Sequence, residues 1–166
     1  MDAVDRILKQ WCIARPDLDV GPMGPIGRLS RVAHGLSRSM ATTFAHHGLN
    51  AAGFDLLATL RRSPPPHALP AGELMSSMMI TSGTMTNRID QLVKAGLVER
   101  RADPNDARRA VVTLTPQGFD LIDKAIADHV LTQKRLLADM NESEVNQLDT
   151  LLRKLMASID TGESPR

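Results

Sequence analysis

The chain has 166 residues with 20 Lys+Arg against 19 Asp+Glu, one cysteine, no tyrosine and 2% aromatic side chains. That length suits one compact domain, and a core forced onto Leu, Ile, Val, Met and Ala favours packed helices over sheets. An intramolecular disulfide is excluded, no apolar run can span a bilayer, and the first residues lack a secretory core, so the cytoplasm is the expected compartment.

Val4, Ile7, Leu8 and Trp11 recur at helical spacing and predict a short amphipathic helix over 2–12. The stretch from Pro16 to Pro25, with Pro22, Gly21 and Gly24, reads as a linker. From Ile26 the set Leu29, Ala33, Leu36, Met40 and Phe44 steps by threes and fours, predicting a long helix closed by His47-Gly48. Asn50 suits the cap of a helix over 51–62 whose inward set is Phe54, Leu57 and Leu60. Pro64-Pro65-Pro66 then breaks the chain.

A short helix over 71–77 is followed by Thr81-Ser82, a cap for a helix that reaches Ala95. Gly96 stands where a left-handed, helix-ending residue belongs. Leu97 to Arg101 and Ala110 to Thr115, on either side of the turn Asp103-Pro104-Asn105-Asp106, predict a β-hairpin. Thr115-Pro116 opens a second long helix with Phe119, Ile122, Ile126, Val130 and Leu137 on one stripe. Asn141 caps a last helix in which Val145, Leu148, Leu152, Leu155 and Ile159 follow heptad spacing. Residues 161–166 predict a flexible tail.

Helix, helix, glycine stop and hairpin form the order of a winged helix-turn-helix. Such a unit places one helix in the DNA major groove and brings the hairpin to flanking backbone or minor groove. Met85, Ile89, Leu92 and Val93 are the expected inward face of the groove helix, opposite Gly83, Thr84, Asn87, Gln91 and Lys94. Ser82, Thr84, Thr86, Asn87 and Gln91 are the candidate DNA contacts, because short hydroxyl and amide groups can approach base edges.

The hairpin gathers Arg100, Arg101, Arg108 and Arg109. Arg101, Arg108 and Arg109 are the candidate phosphate or minor-groove contacts, and Asp106 is expected to bond within the turn and hold Arg108. With a net charge of only +1, any DNA site rests on such local clustering. A merely solvated polar face is the plain alternative, and the hairpin that follows favours the DNA reading.

The run TSGTMTNRIDQLVKAGLVERRADPNDARRAVVTLTPQG resembles the DNA-binding core of the multiple antibiotic resistance regulator (MarR) family. It carries the Asp-x-Arg wing motif as Asp106-Ala107-Arg108, then Leu114-Thr115-Pro116-x-Gly118. The resemblance spans roughly residues 24–160. It implies a mainly α fold with a small hairpin wing, a winged helix-turn-helix dimerising through its N- and C-terminal helices. The DNA-binding domain would occupy 50–115, the dimerisation helices 24–48 and 116–160, and an extra N-terminal helix and linker 1–22. It also implies a homodimer on a pseudo-palindromic operator, released by a small ligand. The heptad stripe of the last helix suits such an interface and equally suits intramolecular core.

Trp11, Pro16, Asp19, Pro22 and Gly27-Arg28-Leu29 resemble the PecS-like, urate-responsive branch of the family. That likeness implies a ligand site of Trp11, Asp55, Arg88 and Arg100. Guanidinium forks suit a flat anion such as urate, and an indole face can stack on it. Taken singly, the same residues read as a packing anchor, a solvated carboxylate, a phosphate contact and a wing residue.

Three functions compete: a repressor released by urate or a related purine, a regulator answering a phenolic or other aromatic acid, and a DNA-binding protein with no effector. No nucleophile elbow, phosphate loop or acid–base pair points to an enzyme. No metal or cofactor is expected, because His34, His46, His47, His67 and His129 lack ligand spacing beyond the adjacent pair that ends a helix. Cys12 is expected to be buried and inert.

Overall fold

The computed structural model describes residues 1–78, 82–103 and 106–160, and within these not the side chains of 82, 83 and 106–108. The described residues condense into two compact units rather than the single one expected from length, the second beginning at Val130.

The first helix, α1 (Ala3–Ala14), starts in a reciprocal cap. The Asp2 carboxylate accepts the N–H groups of Val4 and Asp5, and the Asp5 carboxylate accepts the N–H of Asp2. Arg28, on the next helix α2 (Met23–His46), bridges both carboxylates, reaching Asp2 at 2.8 Å. Asp5 and Asp2 are each held below the ordinary carboxylate range, first by the other's backbone N–H and also by the Arg28 guanidinium. Val4 is the one buried residue of α1 and packs where Gly27 leaves room on α2.

Helix α2 begins at Met23, inside the stretch expected to be linker. Pro25 is tolerated there because first-turn N–H groups have no intrahelical acceptor to lose. The linker is shorter accordingly, and Asp19 accepts the Gly21 N–H within it. At the far end His47 caps α2 and pairs with Asp128 at 2.8 Å.

Helix α3 (Ala51–Arg62) opens with Asn50 accepting the Gly53 N–H at 2.8 Å. It then supplies the centre of the core: Leu56, Leu57 and Leu60 are fully buried, and Phe54 stacks on Phe44 with centroids 4.1 Å apart. Ile122 and Ala125 of α6 (Pro116–Leu136) and Leu74 of α4 (Ala71–Met78) complete it, together with α5 (Ser82–Lys94). Arg61 lies 4.4 Å over the Phe119 ring and bonds Asp123, tying α3 to α6.

The hairpin is present as β2 (Val98–Asp103) and β3 (Asp106–Leu114), with a register irregularity at Ala102/Asp103. A third strand that the hairpin reading did not include, β1 (Ala68–Pro70), pairs antiparallel with β3, Leu69 opposite Val112, in the order β1-β3-β2.

In the second unit, α7 (Glu142–Asp160) starts with a reciprocal cap between Asn141 and Glu144. None of its residues is buried. No helix among the described residues is long and apolar enough to cross a membrane.

Candidate nucleic-acid interface

Two helix positions decide how α5 is presented. Its inward stripe, Met85, Ile89 and Leu92, is buried against the α3 core. Its C-terminal end closes in a left-handed glycine turn: Gly96 has φ +70°, its N–H donates to Val93, and Leu97 N–H donates back to Leu92 at 3.0 Å. A side chain with a Cβ is strained in that conformation, so glycine is required by the turn itself.

The opposite face is open. Thr84, Thr86, Asn87 and Gln91 are exposed, with Arg88 half-buried at the border. Val93 departs from expectation: it is 39% exposed because it stands about a quarter turn off the Met85–Ile89–Leu92 stripe. The expected cap at Thr81 and the side chain of Ser82 lie outside the described residues.

On the wing, Arg101 is exposed and paired to Glu99 two residues back on the same strand face. Arg109 is exposed and Arg100 half-exposed. The side chains of Asp106 and Arg108, and so the expected bond between them, lie outside the described residues. Arg100 Nη1 stands 3.7 Å from Asp90 Oδ1 of α5, a link between that helix and the hairpin that no local sequence spacing announces.

The four candidate ligand residues sit on four elements. Arg88 lines a cleft of about 140 Å³ with Asn50, Gly53, Gln91 and Leu97. Arg100 lines another, of about 390 Å³, with Pro70, Glu73 and Arg109 between the start of α4 and the wing. Asp55 is exposed on α3, and Trp11 is 41% exposed on α1. Cys12 is exposed, against the expectation of burial, because α1 buries only Val4. Arg28, part of the Gly27-Arg28-Leu29 signature, holds α1 on α2.

The comparisons with known proteins agree on one lineage. The signature described as MarR family matches residues 49–110. The HTH-type transcriptional regulator PecS of Dickeya dadantii (strain 3937) is 38% identical over 152 residues, covering 92% of each chain. A MarR mutant from Escherichia coli, solved in complex with operator DNA, superposes with a TM-score of 0.70 at 27% identity, over 83% of this chain and 99% of that one. AbsC of Streptomyces coelicolor shares the fold with a TM-score of 0.76 at 19% identity, over 87% and 97% of the two chains.

Proposed function

The chain belongs to the MarR family of transcriptional regulators, and from that premise we infer that it is a homodimeric repressor, acting in the cytoplasm, that leaves a pseudo-palindromic operator when urate or a related purine binds. The observation that carries the DNA half of this reading is the division of α5. Its apolar stripe is spent on the core, which leaves Thr84, Thr86, Asn87 and Gln91 exposed beside the wing arginines. Short polar groups on a helix of that placement read base edges, while Arg101, Arg108 and Arg109 hold phosphates or the minor groove.

The effector half rests on likeness to PecS and on the chemistry of Trp11, Asp55, Arg88 and Arg100. Arg88 is half-buried at the edge of the α5 apolar face, where an anion drawn to its guanidinium acts directly on the groove helix. Arg100, 3.7 Å from Asp90, offers a second handle on that helix. A ligand that binds the DNA-incompetent arrangement better lowers operator affinity by linkage.

Calorimetric titration of urate into the purified chain, with xanthine and salicylate in parallel, tests the effector. Saturable heat from urate, lost in Arg88→Ala or Asp55→Ala, is the expected result. Heat from salicylate alone moves the effector to a phenolic acid, and silence from all three leaves a DNA-binding regulator with no effector of these classes.

A further inference from the structure

The end of α5 and the start of α6 meet in a joint built from four residues. Thr115 Oγ1 donates to the Gly96 carbonyl at 2.8 Å and accepts the Gly118 N–H at 2.9 Å. Thr115 N–H donates to the Leu97 carbonyl at 3.2 Å. One hydroxyl therefore caps α6, with Pro116 in the first helical position, and at the same time bonds the turn that terminates α5.

Gly118 closes the joint by contact. A Cβ there would collide with the Leu97 carbonyl oxygen and stand 2.9 Å from its carbon. Those are backbone atoms, so no side-chain rotation relieves the clash. Gly118 is buried, and glycine is needed at this position for space rather than for a left-handed turn.

We propose that Thr115 and Gly118 are positioning residues for operator reading: they fix the terminal turn of α5 on the first turn of α6, so that α6 sets the aim of the groove helix. The proposal rests on the reading of α5 as the base-contacting helix. A helix of this length spans about 20 Å, so a tilt of about 3° at the joint displaces its far end by about 1 Å. That is enough to spoil hydrogen bonds to base edges while leaving phosphate attraction intact.

The test uses a duplex enriched by the full-length wild-type chain from a randomised library, and a random duplex at the same salt. Thr115→Val keeps the side-chain shape and removes the hydroxyl; Thr115→Ser keeps the hydroxyl. The selected-to-random affinity ratio is expected to fall about tenfold or more in Thr115→Val, with random-duplex affinity within about twofold of wild type, and to return in Thr115→Ser. Gly118→Ala is expected to lose at least as much, and the Thr115 pair decides the matter if that variant does not fold. A Thr115→Val chain with a lower Tm but an unchanged ratio would reduce the joint to an ordinary cap and overturn the proposal alone. A wild-type chain that enriches no sequence overturns the reading of α5 and the proposal together.

Discussion

Helices α5 and α7 are both amphipathic, yet they spend their apolar stripes in opposite ways. In α5, Met85, Ile89 and Leu92 are 1%, 2% and 7% exposed. In α7 no residue of the stripe Val145, Leu148, Leu152, Leu155 and Ile159 is buried: Leu148 and Ile159 are 37% and 55% exposed, and Leu151 and Met156 on its flanks 64% and 62%. Periodicity predicts a helix and a face; it does not say what covers the face. The α5 stripe is completed by the same chain's α3 and sheet, so the reading unit is finished within one copy. The α7 stripe remains a surface, and in the proposed homodimer a second copy covers it.

The largest expected effect separates these two uses of apolar residues. Leu57→Ala, at the fully buried centre of the core, is expected to cost about 2–5 kcal/mol of stability, equally at every protein concentration. Leu148→Asp on the α7 stripe is expected instead to abolish the rise of Tm with concentration and to halve the mass in sedimentation. Unchanged mass in that variant breaks the comparison by removing the α7 stripe from the interface. A smaller effect sharpens the other side of α5: Asn87→Ala is expected to take about 1–3 kcal/mol from discrimination between operator and random duplex. Equal loss on both duplexes assigns Asn87 to backbone positioning.

The smallest effect concerns the clamp of α1 on α2. Asp2 and Asp5 titrate below their ordinary value of 3.8 in the folded chain. Their contribution is therefore complete above that pH and is lost as the pH falls through the lower folded values. Protection of α1 amides, taken relative to the intrinsic exchange rate at each pH, is expected to fall below pH 3.8 before that of α3, and Arg28→Ala is expected to remove most of this acid dependence. A protection factor in wild-type α1 that does not change with acid excludes the clamp as its anchor.

The helix order, the glycine stop at Gly96 and the inward residues Phe54, Leu57, Leu60, Met85, Ile89 and Leu92 were legible because local periodicity and turn chemistry determine them; Val93, at the edge of the α5 face, was not. Strand β1 was not, since three residues ending in proline carry no pattern and become a strand only by pairing with β3, more than forty residues away. Cys12 was misread because an amphipathic helix over 2–12 implies a wide buried face, whereas α1 buries only Val4. The candidate contact residues Thr84, Asn87 and Gln91 were readable as a polar face. The Asp90–Arg100 approach and the joint at Thr115 and Gly118 were not, because each depends on two elements brought together by the fold.

Trp11 gives the molecule a lopsided optical signature. The chain has one tryptophan and no tyrosine, and its indole sits on α1, 41% exposed, remote in sequence from the groove helix and wing. Intrinsic emission in a denaturant titration therefore follows the environment of α1, while far-ultraviolet ellipticity is dominated by the other six helices among the described residues. When the two curves part, the difference signals α1 leaving on its own rather than a partly melted reading unit.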